Sequence, residues 1–346
     1  MKIRKLLYPF SLLYGGVTSL RNKLFDWDVL HSKAYSLPII SVGNITVGGT
    51  GKTPLTEYII GLLKDEYKVT LLSRGYKRLT KGAMLANKSS SARSIGDEPF
   101  QIKQKFPEIR VAVAEKRVEG MELILRNTQT EVVLMDDAFQ HRYVQPGLSI
   151  LVIDYHRPMW NDCPFPAGDL RETSNGTKRA DIIVVNKCPV SFSDDDKARW
   201  LKKLNPKQGQ EVFFTSITYG QAMPVDSNNR TTLSNGWPVL GLAGIAQPEG
   251  FFTYLSSKHK LANTLVFPDH HHFSARDVED IAAELEKGEA KVLITTEKDG
   301  VRFDKLPEKI RTLSWYIPIR LKVLFNSEKQ FENRIRNYVR NNSDNS

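Results

Sequence analysis

The stretch Thr46-Val47-Gly48-Gly49-Thr50-Gly51-Lys52-Thr53-Pro54 constrains the fold of this chain more than any other. It follows the apolar run Pro38-Ile39-Ile40-Ser41-Val42, which ends at Gly43, and precedes residues 53–64, where Leu55, Ile59, Leu62 and Leu63 share one helical face. Strand, glycine loop and helix in that order make a phosphate cradle. Loop amides turn inward, a helix N-terminus faces the anion, a lysine reaches the β- and γ-phosphates and a hydroxyl meets Mg2+. The usual spacing G-x-x-x-x-G-K-[ST] asks for glycine at position 46, where this chain has threonine. Gly48, Gly49 and Gly51 permit the turn instead. Val47, Gly48, Gly49, Thr50, Gly51, Lys52, Thr53 and Pro54 therefore read as the ATP-binding segment, with Thr53 the metal-facing hydroxyl.

Further buried-strand patterns at 69–72, 110–113, 131–135, 149–154 and 181–185 are separated by stretches long enough for helical crossovers. That alternation predicts an α/β fold of the P-loop NTPase type, a mostly parallel sheet flanked by helices. A second series of strands, at 211–217, 238–242, 264–267 and 291–295, predicts a smaller C-terminal α/β lobe. The expected organisation is an N-terminal amphipathic helix over 1–36, a P-loop core over 37–205 and the lobe over 206–346.

Hydrophobic content of 40% and charged content of 25% exclude disorder, and two cysteines, Cys163 and Cys188, exclude a disulfide framework. The net charge of +10 leaves nucleic acid, an anionic membrane surface or a phosphorylated substrate as partners. No concentrated basic-aromatic segment supports nucleic acid. Near the N-terminus, Lys2, Arg4 and Lys5 precede a charge-free run from Leu6 to Leu20, and Arg21 and Lys23 follow it. The run is shorter than the ~20 apolar residues a spanning helix needs, contains Pro9 and Gly15-Gly16, and has no cleavage site of the A-x-A kind after it. Its apolar residues, among them Leu6, Phe10, Leu13, Val17 and Leu20, recur at helical spacing. Such a stripe packs either on the protein's own core or into the headgroup region of an anionic leaflet.

Several acids stand where strands are expected to end. Met135-Asp136-Asp137 follows an apolar strand, the place of a Mg2+-binding carboxylate, and either aspartate can fill it. Asp97-Glu98 forms an acidic turn, and Arg74, Tyr76, Arg117 and Arg171-Glu172 add cations and an acid at other predicted strand ends. His270-His271-His272 lacks the spacing of a metal site. Asn186-Lys187-Cys188-Pro189 lacks the last aspartate of the guanine-reading N-K-x-D and reads as a strand end.

Taken in order, the phosphate loop, LSRGY (72–76), GDEP (96–99), DDAFQHR (136–142), PAGDLRE (166–172), PDHH (268–271) and TEKD (296–299) closely resemble the tetraacyldisaccharide 4'-kinases, the lipid A 4'-kinases. The resemblance spans nearly the whole chain. It implies transfer of the γ-phosphate of ATP to the 4'-hydroxyl of an acylated disaccharide 1-phosphate, giving lipid IVA. It also implies a peripheral, monotopic place on the cytoplasmic face of the inner membrane, which favours the leaflet for the N-terminal stripe. By the same resemblance, Asp97 paired with His270 is the catalytic base, with His271 the alternative partner, and Lys52 and Asp137 complete the catalytic set. Thr53 with Asp137 or Glu172 holds Mg2+, and Arg74, Tyr76, Glu98, Gln140, His141 and Arg171 meet the substrate. The base dyad is expected to form across a cleft. This chain departs from the family pattern at Asp169, where proline is expected. The rival reading is a P-loop switch ATPase or GTPase of targeting or metal-centre assembly. Val47 counts against it, because dimeric ATPases of that kind carry lysine there.

Overall fold

The computed structural model describes residues 4, 6–226, 233–269, 271, 273–303 and 306–343, which fold into two compact units. The first unit comprises Met1–Ser90, Ile102–Ile217 and Leu321–Ser346. Its strands are β1 (Ile39–Gly43), β2 (Val69–Ser73), β3 (Met84–Leu85), β4 (Arg110–Val113), β5 (Val132–Asp136), β6 (Leu148–Asp154), β7 (Ile182–Asn186) and β8 (Glu211–Tyr219). With Ile319–Val323 at one edge, they form a sheet in the order Ile319–Val323, β8, β7, β6, β1, β5, β2, β4, β3. From β8 to β4 every pair runs parallel, and β3 is antiparallel. Strands β1, β2, β5, β6 and β7 are buried at every position, because helices cover a parallel sheet on both faces. The chain passes from β5 over β1 to β6, so the carboxyl ends of these three strands open the crevice where doubly wound sheets bind ligands.

The run at 211–217, expected to open the second lobe, is β8 of the first sheet and pairs with β7 after the crossover helix Asp194–Leu204. The C-terminal helix Glu328–Ser343 also belongs to the first unit. Phe331, Ile335 and Val339, four residues apart, are fully buried, and each contributes about 1.5–3 kcal/mol by leaving water. Phe331 meets the rings of Tyr58 and Phe213, while the Tyr338 hydroxyl accepts from Ile39 N and donates to Ile39 O. Periodicity shows that such a helix has a buried face; it does not show which sheet that face covers.

The helix Tyr8–Asp26 takes Pro9 in its first turn, where a missing N–H costs nothing. Its packed face is not the apolar stripe. Ser11, Gly15 and Phe25 are the buried positions, Ser11 Oγ accepts from Ala167 N, and the Tyr14 hydroxyl donates to Arg171 O. A Cβ on Gly15 would stand 3.3 Å from the Pro164 ring, so the small residue sets the close approach. Leu6, Phe10, Leu12, Leu13, Val17 and Leu20 are each more than half exposed. Among the described residues no helix is long and apolar enough to cross a membrane.

The second unit comprises Ser91–Gln101 and Thr218–Arg320. Strands β9 (Met223–Pro224), β10 (Pro238–Ala243), β11 (Lys260–Val266), β12 (Val292–Thr296) and β13 (Ser314–Ile317) form a smaller sheet in the order β11, β10, β12, β13, β9. It is parallel except for β9. Leu240, Leu242, Ile281, Leu293 and Phe303 form one of its cores. Residues 91–101, distant in sequence, fold within this unit and carry Asp97 into it.

Candidate active site

The phosphate loop leaves β1 at Gly43 and enters the helix Lys52–Leu63 through Gly51, at φ +91°. A Cβ at Gly51 would lie 1.9 Å from Asn186 Nδ2, so glycine is required by both conformation and space. Gly48 is also left-handed, at φ +95°. Threonine is tolerated at 46 because the chain is extended there. Thr46 bridges Leu170 antiparallel, Val47 N donates to Asp169 O (2.7 Å) and Arg171 N to Ile45 O (2.7 Å). The PAGDLRE segment is thus stitched along the loop. At Asp169, where the resemblance leads to an expectation of proline, the backbone N donates to both oxygens of Asp162 (3.2 Å each), which proline cannot do, and the carboxylate pairs with Arg4 (2.7 Å).

At the end of β5, Asp136 is buried and accepts from Thr56 Oγ1 (3.2 Å), while Asp137 sits at φ +47°. That turn sends the two carboxylates apart. Asp137 receives Arg171 NH1 at 2.8 and 3.0 Å, and Lys52 Nζ lies 3.4 Å away. Burial works against the Asp137 charge, but Lys52 and then Arg171 outweigh it and hold the carboxyl at about 2. Two cations therefore converge on one carboxylate beside the loop, where a nucleotide's terminal phosphates and Mg2+ would add compensating charges.

Glu172 is 2% exposed, and both its oxygens are already on protein donors. Oε1 accepts from Gln140 and Arg179, and Oε2 from Asn22 and Arg179. Gln140 Nε2 also donates to Asn44 O (2.8 Å), tying the DDAFQHR turn to the start of the loop. Asp137, partly exposed beside the loop, is the carboxylate placed to face a cation there. Among the described residues no group of three or more His, Cys, Asp or Glu could hold a metal. Mg2+ keeps several waters and takes one or two carboxylates plus phosphate oxygens, so this donor set fits Mg2+ brought in with a nucleotide.

Arg117 is 2% exposed and donates to Ala114 O and Asp136 O. Burial lowers its affinity for a proton to about 10. His141 is lowered to about 4, first by burial and then by Arg117 and Arg74, so at neutral pH it is an uncharged hydrogen-bonding group. The unfolded chain takes up this proton near pH 6.5 and the folded chain only near 4, so stability is lost as pH falls through that window. NMR titration of His141 should give a midpoint below about 5; a midpoint near 6.5 would show that neither burial nor the arginines act on it. Arg74 and Tyr76 are exposed beyond β2.

In the second unit, Asp97 opens the helix Asp97–Lys105, whose N-terminus favours its charge. Its Oδ2 accepts from Arg302 Nε (3.2 Å) and NH2 (2.8 Å), and Glu98 beside it is half-buried. The TEKD motif builds the support. Thr296 caps the turn Glu297–Gly300, and the fully buried Asp299 accepts from Thr296, Gly244 N and Arg302. Lys298 pairs with Asp269 of PDHH (2.8 Å). His271 gives Nε2 to Asp277 (2.9 Å) and stacks on Phe267. His270 and His272 lie outside the described residues. Among the described residues Arg302 is a partner of Asp97, which sequence reasoning missed. Both belong to one unit, so this pairing needs no cleft. Asn186 and Lys187, read as a plain strand end, meet the phosphate loop directly, and the N-K pair was their only signal.

The family model described as tetraacyldisaccharide-1-P 4'-kinase matches residues 3–340. A relative from Bacteroides thetaiotaomicron named tetraacyldisaccharide 4'-kinase is 46% identical over 100% of this chain and 96% of its own length. One of the same name from Bacteroides fragilis is 45% identical, with the same coverage. Among solved structures, LpxK from Aquifex aeolicus in complex with ATP aligns at a TM-score of 0.75 and 28% identity, covering 97% of this chain and 99% of that one. With a match of that extent added to a phosphate loop, a strand-end aspartate and both flanking cations, this chain belongs to the tetraacyldisaccharide 4'-kinase family.

Proposed function

We infer that this chain transfers the γ-phosphate of ATP to the 4'-hydroxyl of tetraacyldisaccharide 1-phosphate, giving lipid IVA. The observation that carries the reading is the convergence of Lys52 and Arg171 on Asp137 beside the glycine loop, in a chain of this family. The bond between the γ-phosphorus and the β,γ-bridging oxygen breaks, a bond to the 4'-oxygen forms and ADP leaves. Lys52 and the loop amides hold the β- and γ-phosphates, and Arg171 offsets charge on the transferring group. Thr53 with Asp137 would hold Mg2+, which would supply charge neutralisation at the phosphates when bound; Glu172, the alternative ligand, is engaged by Arg179 in this structure. Asp97, with His270 as its partner, accepts the hydroxyl proton. Arg74, Tyr76, Glu98, Gln140 and His141 are assigned to the acceptor's sugar and phosphate.

The exposed apolar face of the helix Tyr8–Asp26, with Arg4, Arg21 and Lys23 beside it, suits a monotopic seat on the cytoplasmic face of the inner membrane. Vesicles containing phosphatidylglycerol should sediment the full chain but not a chain lacking residues 1–25; equal sedimentation of both would remove the helix from the anchoring role. The activity is tested by incubating full-length protein with Mg-ATP and tetraacyldisaccharide 1-phosphate in detergent. Mass spectrometry should find a lipid heavier by one phosphoryl group. ATP hydrolysis independent of lipid, with no phosphorylated lipid, would favour the switch ATPase instead.

A further inference from the structure

We propose that Asn186 and Lys187, backed by Asp154 and Arg157, are positioning residues that brace the phosphate loop and set its affinity for the nucleotide's phosphates. The proposal rests on the reading of this loop as an ATP site and extends it to residues beyond the Gly-Lys-Thr motif. Three loop carbonyls are each held by a side chain from the ends of β6 and β7. Arg157 NH1 donates to Val47 O (3.1 Å), Lys187 Nζ to Gly49 O and Asn186 Nδ2 to Thr50 O (3.1 Å). Asn186 is fully buried and its Oδ1 accepts from Thr215 (2.9 Å), which fixes the amide so that its nitrogen faces the loop. Asp154, 1% exposed, receives Lys187 Nζ at 2.8 Å and has Arg157 Nε at 3.8 Å, tying the two cations together. Asn44 adds a bond to the Thr50 hydroxyl (2.9 Å) from the other side.

A trans peptide points its C=O and N–H in opposite directions. Holding Val47 O and Thr50 O outward therefore aims the N–H groups of Gly48 and Gly51 the other way, into the cradle. The Thr50 N–H closes on Gly48 O at 2.9 Å, which keeps the turn compact while Lys187 holds Gly49 O. Without the brace each carbonyl can rotate inward and present negative charge to a phosphate. The glycine at 51 is part of the same device, because any larger residue would evict the Asn186 amide.

Mg-ATP binding by calorimetry and steady-state kinetics on the full chain test the brace. Lys187→Met should raise both the Kd and the KM for Mg-ATP by about tenfold or more, leave the KM for the lipid unchanged, and shrink the rise in Tm that Mg-ATP produces. Lys187→Arg should restore ATP affinity. Because Lys187→Met leaves Asp154 buried with one cation, the double variant Asp154→Asn/Lys187→Met removes the ion pair as a unit and should show the same ATP defect in a stable fold. ATP affinity at the wild-type value in the double variant would overturn the brace, as would equal losses for ATP and lipid. A wild-type chain that binds no Mg-ATP would overturn the nucleotide reading and the brace with it.

Discussion

Replacing Asp97 with asparagine should lower kcat about 10²–10⁴-fold, the usual worth of a positioned general base, and leave Mg-ATP affinity near wild type. Asparagine keeps the shape and loses the ability to take the 4'-hydroxyl proton. It also weakens a buried ion pair, since Arg302 is almost fully buried and Asp97, like Asp299, is a carboxylate partner of it. Removing one member of such a pair costs about 3–5 kcal/mol when nothing compensates. Here Asp299 and His271 O still hold the guanidinium, so the loss should be smaller. Melting must be measured beside turnover. A folded variant whose kcat is unchanged would exclude Asp97 as the base, and a parallel rise in the Kd for ATP would assign it to nucleotide binding.

Lys52→Met should reduce kcat/KM for ATP by about 10³-fold or more, because a preorganised charge aimed at the transferring phosphoryl is lost. The same change has a second signature in acid. Lys52 is foremost among the groups that overcome burial and hold Asp137 at about 2. A carboxyl lowered in the folded state adds stability that is full above its unfolded value, roughly 3.9, and is lost as pH falls through its folded value. Without Lys52 the folded value rises toward the unfolded one, so the variant should lack part of this stability already at neutral pH and lose less on acidification between about pH 4 and 2 than the wild type does. Circular dichroism during acid titration of both proteins measures it. Identical acid limbs would show that Arg171 alone holds the carboxylate.

Strand, loop and helix from Ile39 to Leu63 were legible because each step has its own chemical signature: a doubly buried apolar run, glycines at positive φ, and a lysine at the helix start. What pattern did not carry was which partner a surface faces. The 211–217 strand has the same appearance in either sheet, and only its register with β7 assigns it. The N-terminal helix shows the converse. Its apolar stripe was plain, yet the seat is made by Ser11 and Gly15, which hydrophobic periodicity ignores. Glu172 was expected to offer oxygens to a metal, but its four protein donors come from residues 22, 140 and 179, whose convergence no local spacing encodes.

The support of Asp97 has a cost in time. Arg302 follows it by 205 residues, and the small sheet that carries the guanidinium lies in that interval and just beyond. At roughly 5–20 residues per second, the aspartate leaves the ribosome about 10–40 s before its partner is made. During synthesis the segment 91–101 must wait as an unpartnered strip of chain while the phosphate loop's own sheet can already begin to assemble. The buried support of Asp97 is therefore complete only once Arg302 has been made, and the first unit closes later still, when the helix Glu328–Ser343 arrives to cover its sheet.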